Sequence, residues 1–219
     1  MSRGLGDVYK RQVWISNYGY EKAKASIDES LRKLQTDYID LMLLHQPFCD
    51  RYGAYWALEE AYKAGKLRAI GVSNFYPDHF IDIASNMEIV PAVNQVETHV
   101  FDQQIEPQRI MEEFGTHIMS WGPFAEGRNS LFTNAHLAAI GAKYGKSVAQ
   151  VALRWLIQRG VIIIPKSTHI ERMQQNLTIF DFSLSDEDMA TIATLDTGKS
   201  LFFDHHDAET TRMFMEWRR

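Results

Sequence analysis

The sequence predicts an α/β fold in which helices cover a parallel sheet, and more specifically a (β/α)8 barrel that is incomplete at its N-terminus. Short apolar runs alternate with amphipathic stretches, and the apolar runs lack polar alternation. Strands that are buried on both faces have this pattern. Polar or aromatic residues follow several of these runs directly, and active sites of barrels lie at the carboxyl ends of the strands.

Each apolar run is rich in Ile, Val, Leu or Met. The predicted strands are Tyr38–Leu44, Leu67–Val72, Ala92–Val96, His117–Trp121 and Val161–Ile164, with a sixth at Val13–Ile15. An eight-stranded barrel typically needs about 250 residues, so we expect this chain to hold the last five to six βα units. A doubly wound sheet also binds ligands at strand ends. The sequence does not favour a doubly wound sheet, because no G-x-G-x-x-G motif follows a strand.

Spacing and capping residues predict helices between the strands. The segment Ala23–Leu34 carries apolar residues three and four positions apart, on one helical face. Ser147 is a suitable N-cap for a helix over Val148–Gln158. The other predicted helices are Gly53–Ala64, Asp78–Ser85, Pro107–Phe114, and one that a capping box at Ser185 opens and that ends near Leu195.

Composition limits the classes of partner. Lys and Arg total 23 and Asp and Glu total 28 of 219 residues, which gives a net charge of −5. This acidic balance argues against nucleic acid and anionic membranes as partners. No apolar run approaches the about 18 residues of a membrane span. A single cysteine, Cys49, excludes an intrachain disulfide and favours the reducing cytoplasm, and we predict no metal site.

Three segments together resemble the aldo-keto reductases. They are DYIDLMLLHQP at 37–47, LRAIGVSNF at 67–75 and IPKS at 164–167. The resemblance runs from Val13 to about His206, and SLFFDHH at 200–206 resembles bacterial members that act on small keto-acids and diketo-sugars. It implies a (β/α)8 barrel that transfers a hydride from NADPH to an aldehyde or ketone, a small-molecule carbonyl substrate.

The resemblance also implies roles for polar residues after the early strands. His45 is the catalytic residue that orients the substrate carbonyl, and Trp14 lines the substrate pocket beside it. Ser73, Asn74 and Gln95 hydrogen-bond the nicotinamide carboxamide, since hydroxyl and amide side chains provide both donors and acceptors.

Later residues are expected to hold the rest of the cofactor. Trp121 would stack on the nicotinamide, and Gly122 and Phe124 would approach the pyrophosphate. Two cations and a hydroxyl suit a dianionic phosphate, which indicates NADPH over NADH. The residues expected at the adenosine end are Lys166, Ser167 and Arg172 at the 2′-phosphate, and Gln175 and Asn176 at the adenine.

The family's catalytic Asp, Tyr and Lys have no counterpart in this chain. Gln12 stands where the resemblance places the lysine, and a neutral side chain cannot lower a tyrosine pKa. Residues 1–12 match nothing in the family, and LGDVYKRQ at 5–12 resembles a translated sequencing-adapter remnant. We therefore expect an artefactual segment at 1–12 in a 5′-truncated reading frame. Residues 13–219 would be a partial barrel, with a loop at 198–219 covering the substrate pocket.

Two other functions remain open at this point. One is a regulatory barrel that binds NADPH without catalysis. The other is an unrelated barrel, such as an isomerase, that binds a phosphorylated substrate at Lys166 and Ser167. The upstream coding sequence separates the first from a reductase, and competition by sugar phosphates separates the second.

Overall fold

A computed structural model describes residues 12–218. They form two compact units. The first unit contains the residues up to Gln95, then Arg109–Thr116, and the residues from Asp204 onward. The second unit contains Val96–Gln108 and His117–Phe203. The segment predicted to be artefactual lies outside the described residues, except for Gln12.

Strands and helices alternate along the chain as the sequence predicts. The strands are β1 (Gln12–Val13), β2 (Met42–Leu44), β3 (Ile70–Ser73), β4 (Val93–Glu97), β5 (His117–Trp121) and β6 (Ile162–Ile163). The helices are α1 (Tyr20–Leu34), α2 (Arg51–Lys63), α3 (Pro77–Asn86), α4 (Ile105–Glu113), α5 (Ala135–Tyr144), α6 (Val148–Gln158), α7 (Ile170–Leu177), α8 (Asp186–Ala193) and α9 (Ala208–Trp217). Short 3₁₀ helices cover Ile15–Asn17 and Ala125–Thr133.

In the first unit, neighbouring strands pair in parallel and in chain order. The register places Val13 opposite Leu44, Leu43 opposite Gly71, and Val72 opposite Asn94. Gly71 is required where β3 meets β4, because a Cβ there would lie 2.3 Å from the Val93 carbonyl oxygen. The parallel register brings the carboxyl ends of these strands to one edge of the sheet.

In the second unit, β5 pairs in parallel with β6, where Met119 lies opposite Ile162. The residue after β4 joins β5 as well, because the Thr98 N–H donates to the Trp121 carbonyl at 3.3 Å. We expected the run Val161–Ile164 to be buried on both faces, and this was wrong. Ile162 is 36% exposed and Ile164 is 42% exposed, because β6 pairs only with β5 among the described residues.

Helix α6 confirms the prediction for Val148–Gln158. Ser147 accepts a hydrogen bond from the Gln150 N–H, and the Gln150 side chain accepts one from the Ser147 N–H, which completes a capping box. Trp155 on this helix is 1% exposed. Burying such a ring removes a large apolar surface from water and so stabilises this unit.

Two expectations near the chain ends need correction. The strand predicted at Val13–Ile15 ends at Val13, and Ile15 begins a 3₁₀ helix. The loop predicted over 198–219 contains α9, whose N-cap Asp207 accepts a hydrogen bond from the Thr210 N–H at 2.8 Å. This cap satisfies a free N–H of the first turn and so favours a helix.

Candidate active site

His45 lies directly after β2 in the first unit. Its N–H donates to the Val13 carbonyl at 3.1 Å, and its ring lies 5.0 Å from the Trp14 ring in an edge-on arrangement. Asn74 follows β3 with φ 62°, a left-handed conformation that Asn tolerates. Its Nδ2 donates to the His45 carbonyl at 3.1 Å. The structure therefore brings the predicted residues His45, Trp14 and Asn74 together.

Burial sets the charge of His45. Desolvation lowers the pKa of His45 to about 4, because the charged imidazolium loses its hydration. The ring is therefore neutral near pH 7. A neutral imidazole can donate one N–H to a carbonyl oxygen that gains negative charge, without adding a competing positive charge.

Buried hydroxyl and amide groups surround the end of β3. The Ser73 Oγ donates to the Gln95 carbonyl at 2.8 Å, and the Asn74 N–H donates to the same oxygen at 2.8 Å. The Gln12 Nε2 donates to the Gln95 Oε1 at 2.8 Å. Ser73, Asn74 and Gln95 are 1%, 3% and 5% exposed, so these contacts fix their side chains in place.

An aromatic cluster beside His45 includes residues that the sequence analysis missed. Phe214 on α9 is 2% exposed and lies 6.2 Å from Trp14 and 5.4 Å from Phe48, measured between ring centres. The His205 ring stacks on Phe214 at 5.6 Å. Phe214 and Trp217 lie one helical turn apart with ring centres at 5.3 Å, although Trp217 is 53% exposed, and this spacing is the sequence signal that could have indicated an aromatic pair on α9.

In the second unit, Trp121 ends β5 and contacts Phe202. The two rings lie 5.0 Å apart with planes at 67°. Gly122 has φ 64°, and a Cβ there would approach the Phe202 ring to 3.8 Å. The backbone after Trp121 therefore turns in a conformation that favours glycine.

A cavity of about 620 Å³ lies in the second unit. All five residues predicted at the adenosine end line it, together with Phe124: Lys166, Ser167, Arg172, Gln175 and Asn176. The sequence analysis missed six further lining residues, which are Phe132, Ser147, Val148, Ala149, Thr168 and His169. Thr168 and His169 directly follow Ser167, so their position in the chain was a usable signal.

The electrostatics of this cavity suit an anion. Among the described residues, Lys143 and Lys146 pair with Asp188 and Asp181, whereas neither cation of the cavity has a carboxylate partner. The cavity also borders the N-terminal end of α7, where backbone N–H groups favour negative charge. Two unpaired cations, a hydroxyl and a helix N-terminus can hold a phosphate through charge-assisted hydrogen bonds.

The profile of the Aldo/keto reductase family matches residues 7–197 of the chain. The chain belongs to this family. A glyoxal reductase of Bacillus subtilis is 46% identical over 185 residues, which are 84% of this chain and 66% of that protein. The chain thus spans about two thirds of the length of the curated relatives it matches. The family match begins at residue 7, inside the segment 1–12 that the sequence predicts to be artefactual. The boundary of this segment stays a prediction.

Solved aldo-keto reductases have the same fold. One from a Medee basin deep-sea metagenome library is 38% identical with a TM-score of 0.86, covering 90% of this chain and 74% of that one. A Bombyx mori aldo-keto reductase in complex with NADP is 31% identical with a TM-score of 0.82, covering 92% and 70%. The predicted α/β fold class and the resemblance to this family are therefore confirmed.

The described residues contain neither a metal-binding cluster nor a helix that could span a membrane. Within residues 12–218, His, Cys, Asp and Glu side chains form no group of three that could hold a metal ion. No helix in this part of the chain has both the length and the apolar character needed to cross a bilayer.

Proposed function

We propose that this aldo-keto reductase uses NADPH to reduce a small aldehyde or ketone to the alcohol. The cavity that carries Lys166 and Arg172 is the observation that supports this function most directly. NADPH and NADH differ only in the adenosine 2′-phosphate, and a dianion is the ligand that two unpaired cations favour. When bound, the cofactor would supply the hydride, and solvent water would supply the proton in place of the family's tyrosine.

The residues of the second unit are assigned to the adenosine end and the ring of the cofactor. Lys166, Ser167 and Arg172 hold the 2′-phosphate, while Gln175 and Asn176 hydrogen-bond the adenine. The lining of the cavity by all five residues supports this assignment. In the same unit, Trp121 provides a flat face for the nicotinamide, and Gly122 and Phe124 lie along the pyrophosphate.

The residues of the first unit are assigned to the carboxamide and the substrate. Ser73, Asn74 and Gln95 hold the carboxamide, because their fixed side chains offer both donors and acceptors. Neutral His45 donates an N–H to the substrate carbonyl oxygen and stabilises the negative charge that develops there. Trp14 packs beside it and lines the substrate pocket.

We propose further that this chain has little or no turnover, because the family's Asp, Tyr and Lys have no counterpart in it. Gln12 stands at the position of the family's lysine and bonds the Gln95 side chain. It offers no positive charge with which to lower the pKa of a proton donor. A well-tuned general acid contributes about 10²–10⁴-fold in rate. Gln12 thus also favours the second candidate, a barrel that binds NADPH without efficient catalysis.

The test is the preference for NADPH over NADH. The double variant Lys166→Ala, Arg172→Ala is expected to weaken NADPH binding by about 100-fold and NADH binding by less than about twofold, because charged hydrogen bonds to the phosphate are lost. Isothermal titration calorimetry measures both constants. Lys22→Ala, which removes an exposed cation on α1, is the matched control and should change neither.

Other results would refute this assignment. An unchanged preference between the two cofactors would remove the 2′-phosphate from the cavity. Displacement of NADPH by a sugar phosphate, but not by adenosine 2′,5′-bisphosphate, would favour the phosphate-binding isomerase instead. An upstream coding sequence that lacks the family's Asp, Tyr and Lys would favour the non-catalytic barrel.

A further inference from the structure

Glu97 is a buried carboxylate that has no role in the reaction described above. It ends β4 and is 1% exposed. Its oxygens accept hydrogen bonds from the Ser200 Oγ at 2.5 Å and the Leu201 N–H at 2.8 Å, and they lie 2.9 Å from the His99 Nε2. A buried charge is costly unless several hydrogen bonds compensate it. Glu97 therefore holds residues 200 and 201 firmly.

Ser200 in turn fixes the backbone of the residues that follow it. Its Oγ accepts hydrogen bonds from the Phe202 and Phe203 N–H groups, both at 3.0 Å. The backbone at Phe202 and Phe203 thus folds back onto one hydroxyl whose own proton goes to Glu97. We name residues 200–203 the anchored segment. Its conformation depends on the carboxylate, because without an acceptor the Ser200 hydroxyl loses its fixed direction.

The anchored segment holds the Trp121 ring. Phe202 lies 5.0 Å from Trp121 in an edge-on arrangement, which is favourable for an aromatic pair. The Arg128 guanidinium lies 4.0 Å from the centre of the Phe202 ring and also donates to the Leu201 carbonyl. Arg128 thus holds both the Phe202 ring, which contacts Trp121, and the preceding Leu201 backbone.

The backbone of Trp121 depends on the same part of β4. Thr98, the residue after Glu97, donates its N–H to the Trp121 carbonyl at 3.3 Å. The Ser120 Oγ donates to the Thr98 carbonyl at 2.6 Å. The end of β4 consequently fixes the main chain of Trp121 directly, and it fixes the ring through the anchored segment.

We propose that Glu97 is a positioning residue that holds the Trp121 ring in place for the cofactor's nicotinamide. The inference rests on the proposed function, because Trp121 is assigned there to the nicotinamide. A ring that is already fixed loses little conformational entropy when a ligand stacks on it, so the anchor raises affinity without touching the ligand. The adenosine end of the ligand does not require this anchor.

The experiment compares two ligands on four proteins. NADPH carries the nicotinamide, and adenosine 2′,5′-bisphosphate presents only the adenosine end. Calorimetry measures both dissociation constants for the unsubstituted chain, Glu97→Gln, Ser200→Ala and the control Glu187→Gln, which alters an exposed carboxylate on α8. Glu97→Gln and Ser200→Ala are expected to weaken NADPH by about threefold to tenfold and to change the bisphosphate by less than about twofold. Ser200→Ala leaves the buried carboxylate in place and covers the case that Glu97→Gln folds poorly.

Hydrogen exchange provides a readout that needs no ligand. The Phe202 and Phe203 amides should exchange faster in both variants, because their Ser200 acceptor is lost or loses its fixed direction, and the Leu201 amide should exchange faster in Glu97→Gln, where its acceptor is weakened. Faster exchange with unchanged NADPH affinity would overturn the proposal, and so would equal weakening of both ligands. Bisphosphate binding with no extra affinity for NADPH in the unsubstituted chain would overturn this inference alone. Binding of neither ligand would refute the proposed function and this inference with it.

Discussion

A His45→Gln substitution is expected to remove part of the acid sensitivity of the fold. Burial lowers the pKa of His45 to about 4, whereas the unfolded chain keeps the ordinary value of about 6.5. Between these two pH values the unfolded state binds more protons than the folded state. Stability from neutral His45 is therefore fully present above pH 6.5 and is lost as the pH falls through this range.

The size of the effect follows from the two pKa values. Linkage predicts that His45 lowers the free energy of unfolding by about 2 kcal/mol between about pH 7.5 and pH 5. Glutamine is neutral at both pH values and contributes no such term. The stability of His45→Gln should thus fall by about 2 kcal/mol less than that of the unsubstituted chain over this interval.

The assay is urea unfolding, followed by circular dichroism at both pH values. Other titrating groups are the same in the two proteins, so their contributions cancel in the comparison. His136→Gln, which changes an exposed histidine on α5, is the control and should keep the full pH dependence. Parallel pH profiles for His45→Gln and the unsubstituted chain would show that His45 is not desolvated and would refute the reasoning.

Two further changes have expected outcomes. Trp155→Ala should lower the free energy of unfolding by about 3–5 kcal/mol, because it empties a fully buried site; Trp56→Ala, at a ring that is 55% exposed, should cost far less in the same urea titration. Burial, and then the nearby Glu97, raises the pKa of Asp102 to about 6, so its ionised form destabilises the fold as the pH rises from 3.8 to 6. Asp102→Asn should stabilise the protein at pH 7.5 relative to pH 4, and an identical difference between the two proteins at both pH values would contradict this.

Local patterns made most of the elements predictable. The Ser147 cap and the apolar face behind it fix α6, because both signals arise within a few residues. Strand limits were less predictable. The apolar run Tyr38–Leu44 forms β2 only from Met42 to Leu44, while Ile39 makes an isolated bridge with Leu67. Apolar character indicates burial, but the length of a strand depends on which neighbour supplies hydrogen bonds.

The lining of the cavity was predictable where it falls on a short motif. Lys166 and Ser167 lie together in the chain and in the cavity. Phe214 and Glu97 were missed, because their importance comes from partners that are distant in the sequence. Glu97 meets Ser200 across 103 positions, and no local spacing indicates such a contact.

The hydrogen bond between Gln12 and Gln95 also constrains the shape of the sheet in the first unit. Gln12 lies on β1 and Gln95 lies on β4, and β2 and β3 lie between these two strands. Neighbouring strands are about 4.8 Å apart, so a flat sheet would separate β1 from β4 by about 14 Å. The Gln12 Nε2 nevertheless donates to the Gln95 Oε1 at 2.8 Å, so the sheet curves and side chains of non-adjacent strands meet on its concave face.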